Sequence, residues 1–245
     1  MNIEQAPTNQ LGFRQALILG ANRNAIVEAV YGGFSPVAWG PLSASTQYYN
    51  PNVQGTYAYD PEQARDLLEA LGYSDTDNDG FLDRDGETLA ITVVQPPWTQ
   101  LPEVMQLLRD QWQSLGIQVN VRPVPGFAML IEEVEAGDYH LVAFDTPGLD
   151  PSILNPRFLS DGGVNWIGYE SPELDNILHE ASRQSEADVR RQLYYQAQTI
   201  IMREALILPI RDYVNLNAYT SRVQGLQFDP YGWFPLMHNV QIADF

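Results

Sequence analysis

Hydrophobic positions along the chain fall into two periods, and the switches between them mark the elements. Residues 11–31, "LGFRQALILGANRNAIVEAVY", carry apolar side chains at helical spacing. Gly20 breaks the run, and Asn22 is placed to cap a second helix. "GGFSPVAWGPL" has the glycine and proline density of an ordered loop. In "YDPEQARDLLEALG", Asp60 is a good N-cap, Pro61 fits the first helical position and Gly72 closes the end. "TLAITVV" then alternates with β-branched residues and predicts a strand. The next helix places Leu101, Val104, Met105, Leu108, Trp112 and Leu115 on one stripe and stops at Gly116. "IQVNVRPV" predicts a second strand, "FAMLIEEVEAG" a short helix and "YHLVAF" a third strand.

Strand, helix, strand, helix, strand with tight connections predicts parallel pairing, hence an α/β fold. After it come a helix capped by Ser171 with Pro172 at its first position, and a longer helix capped by Ser185. "LILPIRDYVNLNAYT" is predicted extended, and the last 20 residues hold aromatics and prolines without periodicity.

Composition narrows the function. Thirteen basic against 31 acidic residues give a net charge of −18, which repels nucleic acid and anionic lipid. With no cysteine, disulfides, thiolate metal sites and cysteine nucleophiles are excluded. No window approaches the ~18 apolar residues of a membrane span. "MNIEQAPTNQ" lacks the basic start and apolar stretch of a signal peptide. His140, His179 and His238 lie apart and read as surface or satisfied core residues. There is no G-x-S-x-G, dinucleotide or P-loop motif, so nothing argues for an enzyme.

Residues 75–87, "DTDNDGFLDRDGE", put six acidic side chains into thirteen positions. Asp75, Asp77 and Asp79 alternate, Gly80 permits a sharp turn, and the Phe81 carbonyl and Asp83 follow at calcium-loop spacing. Gly86 stands where the closing carboxylate belongs, so Asp85 or Glu87 would have to supply it from a shifted loop. Two readings stand: a structural calcium ion, or a solvated acidic turn.

Ligand capture is the second candidate chemistry. Trp39, Trp98, Trp166 and Tyr169 gather in predicted loops, and "FDTPGLDPS" places Asp145 and Asp150 just after a parallel strand. Open α/β sheets bind ligands at that end of their strands. A carboxylate in a dry aromatic cleft pairs with an ammonium group; equally, Asp150 before Pro151 suits a plain turn.

The ordered set "FRQALILGANRNAIVEAVYGG", "GPL", "YNPN", "YDPEQARDLLEALGY", "LLRDQWQSLGIQVNVRPV", "IEEVEAGDYHLVAF", "GGVNWIGYESPELDNILHEA" and "LYYQAQTIIMREALILPI" resembles the family-5 extracellular solute-binding proteins of ABC importers, of dipeptide-, oligopeptide- and nickel-binding type. The match runs over about residues 11–230. The resemblance implies a periplasmic-binding-protein-like C-terminal lobe, a mixed sheet with flanking helices, as one half of a bilobed clamp. It implies a disordered or added tail over residues 1–10, a ligand-binding lobe over 11–213, and a segment over 214–245 that returns to an N-terminal lobe missing from this chain. Phe228, Tyr231, Trp233 and Phe234 would then form an exposed apolar patch that folds back, pairs between chains or is disordered.

The implied role is to capture a peptide or similar small solute outside the cytoplasm and deliver it to a membrane permease. The missing start would carry the export signal or lipid anchor. Asp150 occupies the position closest to the family's amine-holding aspartate, and Trp98, Trp166, Tyr169 and Asn165 would line the cleft. A calcium-stabilised interaction or sensory module without transport is the competing reading.

Overall fold

A computed structural model of the chain describes residues 1–145, 148–229 and 234–243. Helices α1 (Leu11–Leu19) and α2 (Arg23–Tyr31) meet at the expected break, where the Asn22 side chain accepts from Ala25 N–H at 3.0 Å. Helix α3 (Pro61–Ala70) begins with Asp60 accepting from Gln63 N–H at 2.9 Å. A tight hairpin of β1 (Asp83–Arg84) and β2 (Glu87–Thr88) follows the acidic loop.

Strand β3 (Ala90–Gln95), helix α4 (Leu101–Gln113), strand β4 (Gln118–Pro123), helix α5 (Phe127–Ala136) and strand β5 (Leu141–Val142) form the α/β unit. The sheet order is β4-β3-β5, parallel throughout. Among the described residues antiparallel pairing lies outside this sheet, in two-stranded ladders and the isolated bridges Val37–Arg211 and Ser74–Asp83. Helix α4 buries Val104, Met105, Leu108 and Trp112 on the stripe its spacing predicts, and Trp112 Nε1–H donates to the Leu17 carbonyl at 2.9 Å. Gly116 ends the helix with φ +84°, and a side chain there would run into Leu82.

The second half is helical. A 3₁₀ turn over Pro151–Leu154 runs into α6 (Asn155–Phe158), which the polar, proline-broken sequence does not announce. Helix α7 (Pro172–Arg183) is capped by the Ser171 hydroxyl as expected. Helix α8 (Ala187–Arg203) has Glu186, not Ser185, at its N-cap and makes no side-chain cap, so the expected role of Ser185 is not realised. Its apolar face packs with α7, Leu42 and Phe158 into a core of its own. Beyond it, β6 (Val223–Gln224), β7 (Gln227–Phe228), β8 (Pro235–Leu236) and β9 (Gln241–Ile242) pair as two exposed ladders, β6 with β9 and β7 with β8. Leu216 is 66% exposed and Phe234 67%, whereas Phe228 is half-buried. Tyr231 and Trp233 of the expected patch lie outside the described residues.

Residues 1–10 correct an expectation: they are part of the fold. Asn2, only 3% exposed, donates its backbone N–H to His140 O at 2.8 Å and its amide to Tyr139 O at 3.0 Å. Ile3 N–H donates to Ile167 O at 2.8 Å, and Arg14 links the Thr8 carbonyl to that of Glu204. Long-range backbone hydrogen bonds hold this strap, and they leave no periodic apolar trace.

His140 locks the strap to the sheet. Its Nδ1 accepts from Thr92 N–H at 2.9 Å, so the ring proton sits on Nε2, which donates to Ala6 O at 2.9 Å. Burial pulls its pKa below the ordinary 6.5, against the smaller raising effects of the Ala6 bond and Asp138. A protonated ring would aim a second N–H at that of Thr92. The folded protein therefore binds fewer protons here than the unfolded chain. This contribution to stability is full above 6.5 and is lost as the pH falls through the lower folded value. Acidification from about pH 7 to 5 is expected to lower the melting temperature less in His140→Gln than in the parent; equal slopes would show that His140 is not the source.

Candidate functional site

A cavity of about 510 Å³ opens beside the C-terminal end of the parallel strand β5, against Val93 of β3. Val93 and Leu141 from the sheet and Val104, Met105 and Leu108 from α4 form its apolar base. Phe127, Phe144 and Trp166 form an aromatic wall. Phe144 meets Trp166 edge-on at 5.1 Å between ring centroids and Trp98 at 5.6 Å, while Trp98 stacks on Phe127 at 6.2 Å. This wall exists because β5 leaves the sheet after two residues and carries Phe144 and Asp145 away from the ladder.

The opposite side comes from the extended segment after α8. It runs along residues 36–38, with Ala38 N–H donating to Ile210 O at 3.2 Å and Asp212 N–H to Pro36 O at 2.8 Å. Buried Arg23 clamps the junction through the Ala38 and Tyr57 carbonyls, and burial brings its pKa down to about 10. Arg211 is thereby held at the cavity, sandwiched between the rings of Tyr31 at 4.3 Å and Tyr213 at 4.6 Å. Its guanidinium pairs with Asp145 at 3.4 Å, the side chains being 10% and 26% exposed. Burial raises the pKa of neighbouring Asp212, which accepts from Ala44 N–H at 3.0 Å. Tyr31 is likewise raised by burial, although the Arg211 charge opposes this.

Of the residues picked from the sequence, Asp145 and Trp166 line the cavity, and Trp98 backs its aromatic wall. The others are turned to structural tasks. Asp150 does not reach it: its carboxylate caps the 3₁₀ turn through Ser152 N–H at 2.8 Å and lies 4.0 Å from Arg190. The Ser152 bond holds its pKa below the usual value. Asn165 spans the Leu159 and Tyr169 carbonyls, Tyr169 packs on the α7–α8 core, and Trp39 stacks on Arg23 at 4.3 Å. Tyr31, Arg157, Arg211, Asp212 and Tyr213 were missed. The signal for one pair was visible: "PIRDY" places Arg211 and Asp212 inside an otherwise apolar extended run.

In the acidic loop, one carboxylate oxygen each from Asp75, Asp77 and Asp83 lies within 4.8 Å of the others. Asp79 stands apart, accepting from Phe81 N–H at 2.8 Å, and Glu87 lies opposite Arg84 in the β1–β2 hairpin. Asp83, 8% exposed, is the buried member, with Thr76 N–H and hydroxyl on its Oδ2, while Asp75 accepts from the N–H groups of Asn78 and Gly80. These three oxygens fit a hard cation as part of the roughly six to eight that calcium takes.

Residues 1–165 match the model of the bacterial extracellular solute-binding proteins, family 5, middle region. Heme-binding protein A of Haemophilus influenzae is 30% identical over 95% of this chain and 42% of its own length. A probable di/tripeptide-binding protein 5 of Pseudomonas aeruginosa is 28% identical over 95% and 43%. The chain thus spans about two fifths of the length of the curated relatives it matches. Among solved structures, HbpA2 of Haemophilus parasuis superposes with TM-score 0.82 at 23% identity, over 99% of this chain and 47% of that one. The oligopeptide-binding protein AppA of Bacillus subtilis, solved with a nonapeptide, gives 0.80 at 20%, over 99% and 49%. These likenesses show a shared fold.

The Arg211–Asp145 pair makes a testable unit. Arg211→Met loses both ring contacts and the ion pair to Asp145, with an expected cost of about 2–3 kcal/mol in urea unfolding. Asp145→Asn should cost about 1 kcal/mol, and the double mutant should fall short of the sum by about 1 kcal/mol. Additive losses would dissolve the pair as an energetic unit.

Proposed function

The chain belongs to the bacterial extracellular solute-binding proteins of family 5, and from that premise we propose that it is the C-terminal lobe of a two-lobe trap that captures a peptide or similar small solute and delivers it to an ABC permease in the membrane. The family is one of transport binding proteins, not of enzymes, and its members are periplasmic or extracellular. Among the described residues no helix is long and apolar enough to cross a membrane.

One observation carries the reading: an aromatic-walled cavity with an apolar base lies beside the end of the parallel strand β5, with a charged pair at its side. Apolar lining removes the solute's body from water, while charged groups fix its ends. The chain's short span of its relatives supports a second lobe that completes the enclosure. Closure is then driven by contacts the ligand makes only with both lobes in place. The Asp75, Asp77 and Asp83 cluster extends the proposal: a calcium ion there would brace the turn between α3 and the sheet.

Two measurements check these statements. Titration of the chain with short peptides, followed by NMR, should move the Trp166 indole and the amides of residues 141–145, with a dissociation constant on the order of 1 mM because half the contacts are absent. Unmoved signals across a peptide library would end the solute reading. For the metal, millimolar calcium should raise the melting temperature by a few degrees relative to chelator. Identical melts would remove it.

A further inference from the structure

The cavity holds two guanidinium groups in contrasting circumstances. Arg211 is paired with Asp145 and stacked between two rings. Arg157 enters from α6, and its Nη1 donates to the Ile153 carbonyl at 2.7 Å, one turn back. Among the described residues no hydrogen bond takes its Nε–H or Nη2–H, and neither atom is sealed away from solvent. Burial pulls its pKa below the usual guanidinium range, and no neighbouring carboxylate offsets that effect. This happens in a chain with 31 acidic side chains against 13 basic ones. Two other guanidiniums are satisfied more fully: Arg14 holds the Thr8 and Glu204 carbonyls, and Arg122 holds Glu133 and Asp138.

The open edge of Arg157 is the Nε–Nη2 side. Two parallel N–H groups there match the two oxygens of a carboxylate, a geometry that a single ammonium does not offer. The rest of the lining is largely apolar, so a bound anion would be shielded from water, where such a pair is stronger than on the surface. A free inorganic anion has the charge but no body to fill the apolar base formed by Val93, Met105 and Leu108.

We propose that Arg157 is a specificity-determining residue of this cavity, taking a carboxylate of the captured solute on its open guanidinium edge, so that the protein selects solutes with a free carboxylate over their capped counterparts. This rests on the cavity being the solute site and adds the class of solute it prefers.

The test uses the full chain, the tripeptide Ala-Phe-Ala as free acid and as C-terminal amide, and inorganic phosphate, followed by NMR of the backbone amides and the arginine Nε–H signals. The acid is expected to bind about tenfold more tightly than the amide and to shift the Arg157 Nε–H signal. Arg157→Gln should weaken the acid about tenfold and leave the amide unchanged, which also shows that the variant is folded. Arg157→Lys should recover part of the preference. Equal binding of acid and amide, or a preference that survives Arg157→Gln, overturns the carboxylate assignment while leaving the cavity as a solute site. A phosphate shift of Arg157 as large as that of the acid makes this a general anion site and overturns it too. Failure of both peptides to bind removes the assignment together with the cavity reading.

Discussion

Strand β3 is hydrogen-bonded along both edges and covered on both faces, and the rest of the chain is disposed by that requirement. Ile91 and Val93 point into the core made with α1, α3 and α4, while Val94 points into the cluster of Val124, Leu130 and Tyr139. Each such side chain contributes about 1.5–3 kcal/mol by leaving water. Helices on both sides can cover the faces, but nothing in a parallel sheet covers the ends of its strands. The cavity is what remains at that end. Its walls are the segments leaving the sheet, chiefly 143–145 after β5, and the segment 206–213 that returns across it.

How much of this was legible in the sequence depended on the range of the interaction concerned. Asp60, Asn22, Ser171 and Gly116 act on backbone within a few residues, and each does what its position announced. The α4 stripe was equally plain, since 3.6-residue periodicity is local. The strap at residues 1–10 was not, because its bonds reach His140, Ile167 and, through Arg14, Glu204. The site divides in the same way. Asp145 follows from the rule about strand ends and Trp166 from the gathering of aromatics in loops, whereas Tyr31, Arg157 and Arg211 converge from three distant segments. Asp150 stands outside the cavity for a local reason, the turn role that its place before proline also offered: the Ser152 N–H donates to its carboxylate.

Charge distribution separates structural from recognitive cations. Arg14 and Arg23 are buried and spend their donors on backbone carbonyls that would otherwise lack partners. They hold the strap and the 36–38 segment in place. The acidic excess faces outward, most densely in the loop at 75–87, where five of six carboxylate residues are exposed and Asp83 alone is buried. A net charge of −18 gives the molecule a field that repels anions at long range. Selection for an anionic group must therefore be made at contact distance, inside the cavity, where solvent and counterions screen least.

That constraint explains why the two cavity guanidiniums are handled differently. An ion pair such as Arg211–Asp145 satisfies both partners before any solute arrives, and the Tyr31 and Tyr213 rings keep the guanidinium oriented. A solute competing for Arg211 must first break that pair, so it gains little net energy there. Arg157 has no such internal competitor among the described residues. Its desolvation is already borne by the fold, and each new hydrogen bond to it counts almost wholly toward binding. Preorganisation at Arg211 thus shapes the cavity, while incompleteness at Arg157 leaves the position where an incoming charge gains most.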